Sequence, residues 1–158
     1  MRTSVLALAA AALELAACGQ NSSSSDQTAA PPPPPTPDQV KTLLAQLPAP
    51  YNTGDVANGK IKFTQCAACH TTAQGGPNLT GPNLYGIFGR KAGTHDGFAY
   101  SDALKSTGWT WDAARIDTWI TNPHAVLATT KMSFVGLNDP KDRRDVIAYL
   151  KTATSPLP

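Results

Sequence analysis

The chain has 158 residues and a formal net charge of +2, which allows one domain with room for a tail. Acidic and basic residues are interspersed, and no basic tract of the kind that tracks phosphates is present, which argues against a nucleic-acid binder. The three cysteines, Cys18, Cys66 and Cys69, have separate explanations that need no disulfide.

The segment 1–17 reads as a bacterial export signal peptide. Arg2 gives a minimal positive start, and Val5 to Leu13 is an unbroken apolar run. A bilayer span takes roughly 20 apolar residues, so this run is too short to cross one, and Glu14 interrupts it. Leu15-Ala16-Ala17-Cys18 resembles the lipobox of bacterial lipoproteins. That resemblance makes Cys18 the first mature residue and the site of lipidation, because one acyl chain alone holds a protein only marginally. An ordinary cleaved signal, giving a soluble periplasmic protein, is the alternative. Gly19 after the cysteine favours the outer membrane, by analogy with lipoprotein sorting.

Residues 18–50 read as a lipidated, disordered Ser/Pro-rich tether. Ser22 to Ser25 and Pro31 to Pro35 cannot bury a core, and the proline run is read as a spacer rather than a ligand for a proline-binding module. Within the tether, Val40, Leu43, Leu44 and Leu47 have helical spacing. They predict a transient helix over 38–47 that lies against the domain and is closed by Pro48 and Pro50.

From residue 51 the composition changes: aromatic residues appear, and no alternating strand pattern is sustained. The domain 51–158 therefore reads as all-α. A first helix is predicted over 55–68, with Gly59 and Phe63 on one face and Gly59 bare enough for another helix to cross closely. At its end stands Cys66-Ala67-Ala68-Cys69-His70. A Cys-x-x-Cys-His run is the attachment signature of c-type haem: two thiols reach one edge of a porphyrin, and the next residue supplies an imidazole to the iron. Half of a zinc site would need a second paired ligand set, and His95 and His124 are not suitably paired. Glycine- and proline-rich loops follow, which a large apolar ligand would stabilise by becoming the core. A short helix is predicted over 101–106. Another is predicted over 111–121, capped by Thr110 with Asp112 in its first turn and stopped by Asn122-Pro123. Asp139-Pro140 starts a last helix that runs to about Lys151.

These stretches together resemble class I cytochrome c, the branch of mitochondrial cytochrome c and its bacterial relatives. The resemblance is carried by Gly59 to Phe63, CAACH at 66–70, TGPNLYGIFGRKAGTHDGFAYSDA at 80–103, WTW at 109–111, NPHAVLATTKMSF at 122–134 and RRDVIAYLKTAT at 143–154. It implies a small all-α fold around one covalently attached haem c. By position, Cys66 and Cys69 form the thioethers, and His70 and Met132 are the axial metal ligands. Met132 is the sole methionine besides Met1. The resemblance also makes the Pro82 carbonyl the acceptor of the His70 ring N–H. Tyr100 and Trp111 become donors to a haem propionate, and Arg90 the cation that keeps it ionised. Thr130 is retained beside the methionine.

Two positions depart from the family. Trp119 replaces a tyrosine whose hydroxyl approaches the methionine sulfur, and Leu104 replaces an asparagine. Both are expected to remove polar partners and dry the pocket. Trp109 and Trp119 read as pocket packing, His95 as a surface residue, and His124 as a ligand only if Met132 were lost. His124 and Ala125 stand where the mitochondrial protein has lysines, so docking should depend weakly on salt.

The implied function is single-electron transfer in a bacterial respiratory or periplasmic chain. The expected protein is a monomer, tethered in the periplasm between a quinol-oxidising complex and a terminal oxidase or reductase. No paired carboxylates, no nucleophile with a base and no phosphate loop suggest an enzyme. A haem peroxidase or small-gas binder with a labile sixth ligand is the alternative.

Overall fold

The computed structural model describes residues 33–158; the expected signal peptide, Cys18 and residues 19–32 of the expected tether lie outside them. Six α-helices order these residues: α1 Pro37–Leu44, α2 Val56–Ala67, α3 Asp102–Lys105, α4 Ala113–Thr121, α5 Pro123–Val126 and α6 Pro140–Thr154. Among the described residues there is no strand, only an isolated bridge between Lys91 and Thr110. The fold is all-α.

The closest helix pair is α2 and α6. Asp55 starts α2 by accepting the Ala57 and Asn58 N–H groups at 2.9 and 3.0 Å, which satisfies two of the donors every helix leaves open. Gly59 and Phe63 form its buried face. A Cβ built on Gly59 would stand 1.9 Å from the Asp145 carbonyl oxygen. The crossing anticipated at this glycine is therefore with α6, backbone against side-chain-free backbone. Phe63 packs on Tyr149 of α6 with ring centroids 5.2 Å apart.

Asp145 sits at this crossing with 0 % of its surface exposed. It accepts the Asp55 N–H (2.9 Å), the Asn58 amide (2.8 Å) and the Arg144 guanidinium (2.7 Å). Burial alone would raise its pKa, but these donors and the Arg144 charge offset that and hold it below the ordinary carboxylate range. A depressed folded-state pKa contributes stability above the unfolded value of about 3.9 and loses it as pH falls through the folded value. Asp145→Asn is therefore expected to cost about 2 kcal/mol at neutral pH, since bonds to a charged group are each worth roughly 1.5–3 kcal/mol. It should also flatten the acid side of the stability curve below about pH 4. Urea unfolding at several pH values checks both; an unchanged acid slope contradicts the assignment.

Elsewhere the boundaries shift for identifiable reasons. Asp112, not Thr110, caps α4: its carboxylate accepts the Arg115 N–H at 2.7 Å, while Thr110 is taken by the bridge to Lys91. Asn122 ends α4 and its side chain caps α5, accepting the Ala125 N–H at 3.0 Å. Helix α6 continues past Lys151 to Thr154, its last turn held by one bond within the helix and one to the loop at Gly86. The Thr154 hydroxyl donates to Leu150 O at 2.7 Å and the Thr154 carbonyl accepts the Gly86 N–H at 2.6 Å.

Part of the stretch read as tether folds in this structure. Helix α1 opens with a capping box: the Gln39 N–H donates to Thr36 Oγ1 at 3.3 Å, and the Thr36 N–H donates to Gln39 Oε1 at 2.9 Å. Its apolar residues reach α6, leaving Leu43 and Leu47 with only 2 % and 6 % of their surface exposed. Burying a leucine stabilises by roughly 1.5–3 kcal/mol, which explains why so short a helix is held.

Candidate cofactor pocket

A mostly apolar cavity lies between α2, α4 and α6 and is closed by the loop 130–134. Phe63, Ile116 and Leu150 supply apolar walls from the three helices, and Leu104 adds another from α3. Cys66, Cys69, His70 and Met132 all line this one cavity, although Met132 lies far along the chain from the other three. Pro82, Tyr100, Trp111, Trp119 and Thr130 line it as well.

Helix α2 ends as the motif begins. Cys66 O accepts the N–H groups of Cys69 and His70 at 3.0 and 2.9 Å, so the two thiols and the imidazole leave one tight turn together. Burial, with Cys69 beside it, pushes the Cys66 thiol up to about 11, so it is protonated at neutral pH. Neither cysteine forms a disulfide.

The His70 tautomer is set by its neighbour. Nδ1 lies 2.7 Å from the Pro82 carbonyl oxygen, which can only accept, so Nδ1 carries the proton and Nε2 keeps its lone pair. Burial lowers the imidazole pKa while the Pro82 bond opposes it, and the ring is neutral and ready to ligate. Gly81 leaves room for it: a Cβ there would meet His70 Cε1 at 2.4 Å. Asn83, which sequence reasoning missed, fixes this loop. It is 2 % exposed, and its amide donates to Thr71 Oγ1 (2.6 Å) and Ala73 O (2.9 Å) while its own N–H donates to Asn78 Oδ1 (2.9 Å). A Pro-Asn dipeptide gave no signal beyond a turn.

Met132 is held from two sides. Its N–H donates to Thr130 Oγ1 at 3.2 Å, and its Sδ accepts the Trp119 indole N–H at 3.2 Å. This corrects the expectation that Trp119 removes a polar partner, because the indole nitrogen reaches the sulfur and supplies a donor of its own. Only Leu104, 7 % exposed, makes the pocket more apolar. Behind Trp119 stand Trp111 and Trp109, edge to face at 5.6 and 6.3 Å, and Arg115 lies 4.6 Å over the Trp109 ring. Trp109 thus buttresses Trp119.

Arg90 is half-buried. Its guanidinium donates to Tyr85 O at 2.9 Å, to Asn83 O at 3.1 Å and to His95 Nδ1 at 3.0 Å, all neutral acceptors. Among the described residues no carboxylate pairs with it. Burial lowers its pKa and Tyr100 opposes that; burial in turn raises the Tyr100 hydroxyl. His95, expected at the surface, is half-buried against Arg90. His124 is exposed, its Nδ1 3.4 Å from Ala128 O.

These residues fit a porphyrin: an apolar slot, two thiols, a bare imidazole nitrogen and a thioether of the kind that holds redox iron; Arg90 is not among the residues that line the cavity. Trp119→Phe keeps one aromatic ring and deletes the indole N–H with its pyrrole ring. An electron-withdrawing hydrogen bond makes sulfur a weaker donor to ferric iron, so its loss is expected to lower the potential. A neutral hydrogen bond nets roughly 1 kcal/mol, equivalent to about 40 mV for one electron at 59 mV per tenfold. Voltammetry measures it, and an unchanged potential would contradict the role.

The comparisons with known proteins agree with this chemistry. The cytochrome c family model matches residues 56–154. Cytochrome c2 of Rhodomicrobium vannielii is 47% identical over 65% of this chain and 82% of that protein. Cytochrome c2 of Rhodoplanes tepidamans is 48% identical over 61% of this chain and 90% of its own length. The solved structure of cytochrome cH from Methylobacterium extorquens superposes with a TM-score of 0.59 at 48% identity, covering 63% of this chain and 99% of that one. The family match begins at residue 56. With the pocket described above, these comparisons establish that the chain belongs to the cytochrome c family: it is an electron carrier, not an enzyme, and its cofactor is covalently bound haem c.

Proposed function

We propose that this cytochrome is a membrane-tethered carrier of single electrons in the bacterial periplasm, passing them from a quinol-oxidising complex to a terminal oxidase or reductase. The observation that carries the reading is the convergence of Cys66, Cys69, His70 and Met132 on one cavity, with the His70 proton fixed on the nitrogen that faces Pro82.

Haem c, when bound, supplies a one-electron iron couple. Cys66 and Cys69 would hold the group through thioethers, and His70 Nε2 and Met132 Sδ would be the ligands to its iron. Pro82 orients the imidazole and raises its basicity. Thr130 and Trp119 hold the thioether, so little rearrangement accompanies each transfer. Arg90 offers its charge to a propionate, with Tyr100 and Trp111 as hydrogen-bond donors from the cavity wall. The firm hold on Met132 speaks against a peroxidase or gas binder, which needs that position open.

Lys131 is exposed and its ammonium donates to Ala99 O at 2.9 Å, so one of the few cations near the Met132 loop is partly engaged. Docking then depends weakly on salt. Among the described residues no helix is long and apolar enough to cross a membrane, and attachment rests on acylation of Cys18. An anchored carrier works at high effective concentration near membrane partners.

Intact-mass analysis of protein from its native host tests the reading, since it reports haem, signal cleavage and acyl chains together. Cys18→Ser is expected to move the protein from the membrane to the soluble fraction with its redox activity unchanged. A variant that still partitions into detergent contradicts the anchor. A polypeptide that stays colourless after expression with a maturation apparatus contradicts the haem assignment.

A further inference from the structure

His95 lies in the turn 93–97, away from both proposed axial ligands, and Arg90 donates to its Nδ1 at 3.0 Å. A guanidinium has five donors and no acceptor. The bond therefore requires a lone pair on Nδ1, which means a neutral imidazole with its proton on Nε2. Protonation would set N–H against N–H and place a second positive charge beside the first. Arg90 cannot easily yield, because two further bonds tie it to Tyr85 O and Asn83 O. His95 is the partner that must turn away.

The surroundings sharpen the competition. Burial and the Arg90 charge both lower the His95 pKa, while Asp96 beside it raises it. Tyr100 completes the cluster: its hydroxyl meets the His95 main chain and it feels the Arg90 charge. Tyr100 and Trp111 line the cavity, and the Arg90 carbonyl accepts the Trp111 N–H at 2.9 Å. A charge gained at His95 thus appears next to the group of residues that faces the propionate edge in the reading above, on which this inference rests.

We propose that His95 is a positioning residue for Arg90 and couples reduction of the iron to proton uptake. With Nδ1 bare, His95 holds Arg90 and adds no charge. With both ring nitrogens protonated, it releases Arg90 and adds one positive charge, which favours the ferrous state. Each electron taken up in the titration window then draws in part of a proton from solvent, and the potential rises as pH falls. A unit charge gained on this side of the pocket should shift the reduction equilibrium by a factor of about five across the window.

The test is voltammetry of the haem-loaded protein between about pH 4 and pH 9, with NMR of the imidazole nitrogens. The expected result is one step centred below the ordinary imidazole value of about 6.5, with Nδ1 unprotonated above it. His95→Gln keeps an acceptor for Arg90 but does not titrate. It should abolish the step and keep the potential of the alkaline plateau. A flat potential in the parent protein, a step that persists in His95→Gln, or a proton on Nδ1 at neutral pH overturns the proposal. The haem absorption spectrum reports on the functional reading separately, so the two fail in different measurements.

Discussion

Replacing Gly59 with valine is expected to lower the thermal midpoint of the haem-loaded protein by roughly 10–20 °C. The added Cβ would stand 1.9 Å from Asp145 O, 2.5 Å from Asp145 C and 2.9 Å from Tyr149 Cβ. The first two are backbone atoms of a helix and cannot swing aside like the end of a flexible side chain. Relief requires α2 and α6 to move apart. That separation would loosen the Asp145 hydrogen bonds to Asp55 and Asn58 and the Phe63–Tyr149 contact. Overpacking at a closed crossing costs about 3 kcal/mol or more. The pocket should suffer with the fold, because α2 delivers Cys66 while Val146 and Leu150 of α6 form part of its wall. Ile61 on the same helix is 66% exposed, and Ile61→Ala should change stability by no more than about 0.5 kcal/mol. Thermal unfolding followed by circular dichroism and haem absorbance measures both variants. A Gly59→Val midpoint within a few degrees of the parent would mean that the crossing yields, contrary to the geometry.

The ease with which this crossing was read from sequence shows where local pattern suffices. Gly59 and Phe63 share a helix face, and a missing side chain has few uses there other than close approach. Asp55 and Asp139-Pro140 mark helix starts through chemistry confined to three or four residues. The haem motif is equally local, since its two thiols and imidazole lie within five consecutive positions. What sequence could not supply depended on contacts outside the local helix and turn patterns. Thr110 has a capping hydroxyl, but the bridge to Lys91 claims its position and Asp112 takes the cap. Helix α6 outruns its predicted end because Gly86 meets Thr154. Trp119 has the size of a packing residue, and only the fold shows that its N–H reaches Met132. His95 sits among glycines in a loop, and only the fold shows Arg90 against it. In each case a contact outside the local helix pattern decides the outcome, and no periodicity encodes such a contact.

The second large effect is expected at Met132. Met132→Ala should keep its haem, because attachment runs through Cys66 and Cys69 and one axial donor remains at His70. The iron should then accept exogenous imidazole or cyanide at least about a hundredfold more tightly than the parent protein, whose tethered thioether competes at high effective concentration. The weak far-red band of sulfur-ligated ferric haem should disappear. The potential should fall, since thioether sulfur favours ferrous iron. Truncation also leaves the Trp119 N–H without the acceptor it has at 3.2 Å and opens space beside it. A half-buried methionine lost in this way should cost about 2 kcal/mol, the low end for such truncations, with the orphaned donor adding to the loss. Water entering the gap would satisfy the indole and compete for the iron, so ligand binding and stability should change together. Pairing Met132→Ala with Trp119→Phe separates the two contributions: the double variant should bind external ligands as well as the single one but recover part of the lost stability. An unaltered far-red band and unchanged ligand affinity in Met132→Ala would show that the sulfur holding Trp119 is not the sulfur holding iron.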